Sequence, residues 1–208
     1  MTRRVAIVNG LTRSGRYNNH LAKLYQAIGI TNHKEYQFNR ALLFCCHAHG
    51  LLDNEIAQIV ADNDVIHCQS GSFFRVLHYF SEKKINKPLI LESPVLRANT
   101  GTLMAALGRV KSFSDVKNEN ILVKTLLDTA CFTPSWTSKT LSLLKEMKDK
   151  DQVLVLHGNE DGVSDIRGLE SYFNMIWQRG AHARLFDGSK GCNNDFDFVK
   201  HFVDRHSR

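Results

Sequence analysis

Short apolar runs alternate along this chain with longer segments in which apolar residues recur every three to four positions. A short run bounded by turn residues is typical of a buried strand, and the longer period is typical of an amphipathic helix. Elements that alternate in this way predict an α/β fold, in which a mostly parallel sheet carries helices on both faces to give three layers. The pattern predicts strands over residues 5–8, 64–69, 88–95, 152–157 and 181–186, and helices over 20–28, 54–61, 73–80, 102–110, 120–130, 165–178 and 196–204, with a further helix that starts near Pro134.

Residues 41–46, Ala-Leu-Leu-Phe-Cys-Cys, fit two interpretations. They can form a strand that ends at His47-Ala-His49-Gly50, or a helix that joins the one after Asp53. Because an apolar run this short does not distinguish the two, both stay open, and we favour the strand.

Composition fits one domain without an obvious nucleic-acid partner. A chain of 208 residues, 43% of them hydrophobic, can bury roughly 70% of the surface that its unfolded form exposes. No repeat, linker or low-complexity tract divides it, so we expect a single domain over residues 1–208. The net charge is +6, but its basic residues are spread out, apart from a cluster at Arg3, Arg4, Arg13 and Arg16. A mildly basic surface of this kind indicates solubility more than nucleic-acid binding.

The cysteines indicate a reducing compartment. Their number, five, is odd, and no Cys-x-x-Cys pair or zinc-type spacing occurs among Cys45, Cys46, Cys68, Cys131 and Cys192. The amino terminus leads directly into a strand, with no long apolar segment of the kind that a secretory signal carries. No apolar run approaches the roughly 20 residues that span a bilayer. We therefore expect a soluble, cytoplasmic protein without a metal or another cofactor.

Candidate chemistry is concentrated at Ser70, between the β-type run that starts at Asp64 and the following helix. A serine on a sharp bend from strand to helix needs small residues two positions before and after it, and Cys68 and Ser72 occupy those positions. The bend also points the N–H groups of the helix amino terminus at whatever Ser70 attacks. The five-residue pattern is common by chance, and a serine that caps a helix is its plainer interpretation. The rest of the sequence must therefore decide between them.

Two further segments supply a context for Ser70. The first strand runs into Asn9-Gly10-Leu11-Thr12, and the strand at 152–157 runs into Gly158-Asn-Glu-Asp161. In this order the three segments resemble the α/β-hydrolase superfamily, and the resemblance covers nearly the whole chain. It implies that Ser70 is the nucleophile in a Gly-x-Ser-x-Gly-like elbow and that Asp161 is the orienting acid.

The resemblance carries two further implications. The backbone N–H groups of Leu11 and Gly71 would form the oxyanion hole, since this architecture uses main-chain donors there. Residues 98–148 would form a small helical lid over the site, although ordinary packing helices explain the same pattern equally well.

The histidine that completes the family's triad is missing from its expected place. The family carries it in the loop before the closing helix, and that loop here reads Gly191-Cys192-Asn193-Asn194-Asp195. Cys192 occupies the place of the imidazole, and a thiol with a pKa near 8.5 is a poor base for a serine hydroxyl. In the family the first strand ends in a His-Gly pair, and this chain has Asn9 in place of that histidine. The change is milder, because the side chain at this position mainly shapes the loop and the oxyanion donors are backbone N–H groups.

A serine without a base is nearly inert, because loss of the serine or histidine of such a triad costs on the order of a million-fold in kcat. A replacement imidazole must come from another loop at the carboxyl edge of the sheet. We consider His157 the first candidate and His49 the second. His67 and His182 are predicted to lie within strands, and His201 and His206 lie on the last helix.

Two functions from different classes remain open. The first is a serine hydrolase acting on a small acyl ester or thioester, with Ser70, Asp161 and His157 as its catalytic residues. The second is a hydrolase-fold protein that has lost turnover and binds a small ligand or a partner protein through the same pocket. A nucleophilic Cys192 is a weaker third hypothesis, because the family's cysteine nucleophiles lie at the elbow and no charged partner for the thiolate is evident.

Asp165 and Glu92 are fallbacks for the acid, and their plainer interpretations are a helix cap and a surface charge. The sequence does not indicate the substrate or the oligomeric state.

Overall fold

The computed structural model describes residues 3–10, 18–38, 52–96, 134–162, 164, 166–180, 182, 185–186 and 196–206. Within these residues six strands form one sheet: β1 Arg4–Val8, β2 Asn32–Tyr36, β3 Val65–Gln69, β4 Leu89–Glu92, β5 Val153–Gly158 and β6 Asn174–Gln178. The helices are α1 Asn18–Ala27, α2 Asp53–Asp62, α3 Phe73–Lys83, α4 Pro134–Asp149 and α5 Asp197–His206, with short 3₁₀ turns at Ser70–Ser72 and Glu170–Tyr172.

All neighbouring strands of the sheet pair in parallel, in the order β2-β1-β3-β4-β5-β6. Parallel pairing places the carboxyl ends of all six strands along one edge. In an open α/β sheet this edge, with the loops that follow the strands, is where ligands bind. The loops that follow β3, β5 and β6 therefore meet although they are far apart in sequence.

Helices cover both faces of the sheet, which gives three layers. On one face, buried side chains of α2, α3 and α4 pack with β-strand residues such as Ala6, Ile66 and Val155. On the other face, side chains of α1 and α5 pack with residues such as Val5, Ile90 and Leu156. The central strands are apolar on both faces because both are covered. The α/β fold class predicted from the sequence is confirmed.

The segment 165–178 is not the amphipathic helix that its apolar spacing predicts. It contains a turn, the short 3₁₀ turn and then β6. Gly168 has a φ of 81°, which an α-helix does not accommodate, and Phe173 is extended. Within β6, Met175 packs with one core cluster and Ile176 with the other, so the side chains alternate with the period of a strand. The apolar residues of a turn and of the following strand together have the spacing of a helix.

The strand predicted over residues 181–186 is also wrong, because the last strand of the described sheet has already ended at Gln178. His182, Leu185 and Phe186 lie in turns. This shift changes the position of His182, which belongs to a loop at the carboxyl edge of the sheet and not to a strand.

The sequence interpretation missed β2. Its residues, Asn-His-Lys-Glu-Tyr, are polar because β2 is an edge strand, and most of its side chains are partly exposed. Residues 41–46, for which we favoured a strand, lie outside the described residues, as do residues 98–133 of the suggested lid. The last part of that segment is α4, which starts at Pro134 as predicted and buries Leu141 and Leu144 in the core. The lid stays a prediction.

None of the helices in the described ranges is both long and apolar enough to cross a bilayer.

Replacement of Gly158 tests how closely the ends of β5 and β6 approach each other. A Cβ atom on Gly158 would lie 2.2 Å from the carbonyl oxygen of Gly180 and 3.1 Å from the Leu185 side chain. Because the first neighbour is backbone, the segment must move, and Gly158→Ala should lower the free energy of unfolding by about 1–3 kcal/mol. Urea unfolding measures the change. Gly162→Ala is the matched control, since a Cβ there meets nothing within 4 Å, and equal stability of the two variants would contradict the close approach.

Candidate active site

Ser70 lies at the bend between β3 and α3, where the small residues around it predict a turn. Its φ is 55°, in the left-handed region that non-glycine residues rarely adopt. Such a conformation costs of order 1–3 kcal/mol and persists only where the surroundings hold it. The hydroxyl oxygen of Ser72 lies 2.8 Å from the carbonyl oxygen of Gln69 and 3.0 Å from that of Val8, so it ties the bend to β1. The structure thus holds Ser70 in the strained geometry of a nucleophile elbow.

The Ser70 hydroxyl contacts an imidazole, and that imidazole contacts a carboxylate. Ser70 Oγ is 2.8 Å from His182 Nε2, and His182 Nδ1 is 2.8 Å from Asp161 Oδ2. A carboxylate only accepts hydrogen bonds, so Nδ1 carries the proton that is donated to Asp161. In the neutral ring, Nε2 is then free to accept from the Ser70 hydroxyl. The three groups form one continuous chain of hydrogen bonds.

The Asp161 carboxylate is fully buried and held by its own loop. The backbone N–H of Ser164 donates to Asp161 Oδ1 over 3.0 Å. The loop is fixed to the end of β6, because the N–H of Asn159 donates to the carbonyl of Gln178 and the N–H of Glu160 to that of Gly180. Asp161 therefore faces His182 from a loop that is anchored to the strand before that histidine.

His157, the base that we favoured from the sequence, is directed at the acid loop. Its Nε2 donates to the carbonyl oxygen of Ser164 over 3.1 Å, and its Nδ1 lies 3.7 Å from Asp161 Oδ2. Its ring also packs edge-on against Trp177, with centroids 5.4 Å apart. The imidazole in contact with Ser70 is that of His182, so the geometry does not support His157 as the base. His182 was not favoured because we had predicted a strand over residues 181–186, whereas the last described strand ends at Gln178 and His182 lies in the loop after it.

Of the candidate residues Leu11, His49, Gly71, Asp165 and Cys192, the structure describes Gly71 alone. Gly71 is buried and lies directly after Ser70, in the 3₁₀ turn Ser70–Ser72 that leads into α3. Leu11, Cys192, His49 and Asp165 lie outside the described residues, so their suggested roles stay predictions.

Gly10 shows that the loop after β1 reaches the elbow. A Cβ on Gly10 would lie 2.7 Å from Ser70 Cβ and 3.0 Å from the carbonyl oxygen of Gln69. Asn9, just before it, donates from both its backbone N and its side-chain Nδ2 to the carbonyl oxygen of Tyr36, each over 3.0 Å. Asn9 thus fixes the start of the loop, and Gly10 lets its backbone approach Ser70.

Glu92 is not the surface charge that its plainer interpretation assumed. It is 1% exposed at the carboxyl end of β4. Its Oε2 accepts from the Gln69 side-chain amide over 2.7 Å, and its Oε1 lies 3.4 Å from the backbone N of Leu185. Asp161, not Glu92, therefore contacts the His182 imidazole.

Within the described part of the chain, His, Cys, Asp and Glu side chains form no group of three or more that could hold a metal ion. The chemistry that this site supports is the transfer of a proton between a hydroxyl and an imidazole that a carboxylate orients. That arrangement activates a nucleophilic serine.

Comparison with solved structures gives the fold a precedent. Human thioesterase 2 superposes with a TM-score of 0.53 at 14% identity, over 100% of this chain and 99% of that one. An esterase of Pyrococcus furiosus, Pf2001, gives a TM-score of 0.59 at 12% identity over 100% and 84% of the two chains. DcsB, solved in complex with its substrate analogue, gives 0.56 at 10% identity over 99% and 90%.

These likenesses show an α/β-hydrolase-like fold. The sequence matches no protein-family model, and a comparison with curated proteins gave no match either.

Gly10→Ala tests the contact between the β1 loop and the elbow. The added methyl carbon would lie 2.7 Å from Ser70 Cβ, closer than carbon atoms approach without a bond, so the loop and the elbow must move relative to each other. Misplacement of a reacting group by about 1 Å costs on the order of 10²-fold in rate. We expect Gly10→Ala to fold and to react with a fluorophosphonate at Ser70 about 10- to 100-fold more slowly than the native protein. Gly162→Ala should react at the native rate, and equal rates for both variants would contradict the contact.

The buried thiol of Cys68 should make the stability of the protein depend on pH above about 9, close to the ordinary pKa of a thiol. Burial raises the pKa of this thiol well above that value, against a smaller lowering effect of a hydrogen bond with Ser72. A raised folded-state pKa contributes stability that is complete below the unfolded-state pKa and is lost as pH rises toward the folded-state pKa. Between pH 9 and 11 the free energy of unfolding should fall more steeply for the native protein than for Cys68→Ala. The difference in slope should reach about 1.4 kcal/mol per pH unit.

Urea unfolding of both proteins across this range measures that difference. Parallel curves would show that the Cys68 thiol ionises as easily in the folded protein as in the unfolded chain.

Proposed function

We propose that this protein is a serine hydrolase that acts on a small acyl ester or thioester. Ser70 is the nucleophile, His182 the general base and Asp161 the acid that orients the imidazole. The proposal rests on one observation, the continuous hydrogen-bond chain from Ser70 Oγ through His182 to Asp161, with 2.8 Å at each contact. The three residues follow each other along the chain in the order serine, acid, histidine, which is the order of this architecture.

The arrangement supports acyl transfer in two half-reactions. In the first, Ser70 Oγ attacks the acyl carbon while its proton passes to His182 Nε2, which then protonates the departing alkoxide or thiolate. In the second, water attacks the acyl-serine, His182 takes a proton from that water, and the acid departs as Ser70 regains its proton. The Asp161 carboxylate stabilises the imidazolium that forms in each half.

The negative charge on the acyl oxygen needs donors on the other side of the carbonyl. The backbone N–H groups of Gly71 and Leu11 are our candidates, because Gly71 directly follows Ser70 in the 3₁₀ turn and Leu11 follows Gly10 in sequence. One such donor contributes about 2.7–4 kcal/mol to transition-state stabilisation. The contact between Gly10 and Ser70 supports this assignment for the β1 loop.

The substrate class rests on the structural neighbours. Two of them are named a thioesterase and an esterase, and the alignment covers 99% of the first and 84% of the second. Both reactions use the same acyl-serine intermediate and differ only in the leaving group. The odd cysteine count without a Cys-x-x-Cys pair supports a cytoplasmic location for this activity.

The alternative function, an inactive hydrolase-fold protein, depended on the absence of a base. His182 lies within hydrogen-bonding distance of the Ser70 hydroxyl, so that argument no longer holds. A Cys192 nucleophile has no support either, because Ser70 occupies the elbow and contacts the imidazole.

Substitution of the histidines separates the two candidate bases. His182→Ala removes the group that accepts the Ser70 proton, so kcat for p-nitrophenyl acetate or a short acyl thioester should fall about 10⁴- to 10⁶-fold. Ser70→Ala should abolish turnover and fluorophosphonate labelling. His157→Gln should lose at most about 10-fold, since that ring touches the acid loop and not Ser70.

Steady-state kinetics of the purified variants, with circular dichroism to check folding, provides the measurement. A native protein that neither hydrolyses these substrates nor labels at Ser70 would refute the proposed function. A greater loss in His157→Gln than in His182→Ala would refute the assignment of the base.

A further inference from the structure

A row of buried polar side chains lies under the candidate site, on the face of the sheet that α1 and α5 cover. Tyr25, His67, Gln69 and Glu92 are all buried. His67 and Gln69 alternate with the apolar residues of β3 and point to the same face as Glu92 of β4, which pairs with Gln69 in register. The chemistry proposed for Ser70 uses none of these four side chains.

A hydrogen bond links Tyr25 with His67, and a longer polar contact, which is not a hydrogen bond, links His67 with Glu92. Tyr25 Oη is 2.8 Å from His67 Nδ1, and His67 Nε2 is 3.5 Å from Glu92 Oε2. Burial and, to a smaller extent, the charge of Glu92 raise the pKa of Tyr25 well above its usual value, so Tyr25 donates as a neutral phenol. His67 Nδ1 then accepts, and the proton on Nε2 faces Glu92. Both carboxylate oxygens of Glu92 thus face N–H groups.

The partners of Glu92 belong to the two segments that carry the proposed nucleophile and base. Gln69, which donates to Oε2 over 2.7 Å, immediately precedes Ser70. Leu185, whose backbone N–H lies 3.4 Å from Oε1, is in the same loop as His182. One carboxylate therefore bridges the elbow and the loop of the histidine.

The acid loop is tied to the same end of β4. Ser164 donates its hydroxyl proton to the carbonyl of Pro94 over 2.8 Å, and the N–H of the same residue donates to Asp161 Oδ1. The backbone N–H of Ser93 donates to the carbonyl of Leu156 in β5, and Ser93 itself has a positive φ of 49°. The segment Glu92, Ser93 and Pro94 thus contacts all three parts of the chain that meet at the site.

A buried carboxylate contributes little net stability to a fold. Removal of such a charge from water costs several kcal/mol, and well-packed apolar residues of the same volume often give equal or greater stability. What the carboxylate adds is direction, since its two oxygens fix two donors at defined positions. Those positions matter here because the 2.8 Å contact between Ser70 and His182 depends on where the elbow and the loop lie relative to each other.

We propose that Glu92 is a positioning residue that aligns Ser70 with His182 by holding Gln69 through one oxygen and the Leu185 N–H through the other. The inference rests on the proposed hydrolase function for its kinetic consequences, but the alignment itself is a property of the fold.

Three variants test the alignment. Glu92→Leu removes both contacts at similar volume, and Gln69→Met removes the elbow contact alone. Glu92→Gln keeps an acceptor for Leu185 and can also donate to the Gln69 amide oxygen if that amide rotates. Leu91→Val, on the same strand but facing the opposite core cluster, controls for a general loss of packing.

Two readouts separate alignment from stability. The first is the rate at which a fluorophosphonate labels Ser70, together with kcat and KM for p-nitrophenyl acetate. The second is the far-downfield proton NMR signal of His182 Nδ1–H, which reports its hydrogen bond to Asp161 and needs no turnover. We expect Glu92→Leu to lower the labelling rate and kcat about 10- to 100-fold with little change in KM, and to broaden or shift the His182 signal.

The other variants give graded expectations. Gln69→Met should slow labelling about 10-fold and leave the His182 signal in place, because the Leu185 contact remains. Glu92→Gln should keep labelling within about 5-fold of native, and Leu91→Val should match the native protein in both readouts.

The results that overturn the proposal are equally defined. A folded Glu92→Leu with native labelling and a native His182 signal would refute it, as would a Glu92→Gln that loses as much as Glu92→Leu. If Glu92→Leu does not fold, Gln69→Met decides, and a labelling rate within 2-fold of native refutes the bridge. A native protein that is not labelled at Ser70 refutes the hydrolase function instead, and the NMR signals of native protein and Glu92→Leu still test the alignment.

Discussion

Parallel pairing of all six strands is the constraint on which this molecule depends. It brings the carboxyl ends of β3, β4, β5 and β6 to one edge of the sheet. Ser70, Glu92, Asp161 and His182 follow or end these four strands, and over a hundred positions separate the first from the last. No local segment could assemble them. The hydrogen bonds that join Ser70, His182 and Asp161, like those that Glu92 accepts from Gln69 and Leu185, therefore depend on the register of the sheet.

The backbone at Ser70 is strained by the sharp bend between β3 and α3. The serine takes a left-handed backbone conformation, which costs of order 1–3 kcal/mol. Close packing keeps Ser70 in this conformation. The backbone of Gly10 lies so near Ser70 that a side chain on residue 10 would not fit, and the Ser72 hydroxyl contacts two carbonyl oxygens. Cys68 completes the small, fully buried surroundings. The strain is thus held in place by neighbours that a larger residue would displace.

Local rules predicted the parts of this structure that depend on local physics. The bend at Ser70 was expected because the small residues Cys68 and Ser72 permit a sharp turn after an apolar strand, although the same pattern also fits a serine that caps a helix. The acid loop after β5, by contrast, was expected from the resemblance to the α/β-hydrolase superfamily and not from local rules. β2 was missed because an edge strand buries little and so lacks an apolar signal. The helix predicted over residues 165–178 is wrong because apolar spacing alone fits a helix there, whereas pairing with β5 and the positive φ of Gly168 give a turn and a strand.

That one error concealed the histidine. With a helix placed over β6, the last strand moved to residues 181–186, and His182 was assigned to the interior of the sheet. The loop around Cys192 contains no histidine, and His157 and His49 were then preferred because they were predicted at the carboxyl edge of the sheet. Proton transfer requires only that an imidazole nitrogen lie within reach of the hydroxyl. A loop that starts after Gln178 and passes close to Gly158 brings His182 to that position, whatever residue stands at 192. For such a site, the end of the last strand is a better guide to the base than the residues before the closing helix.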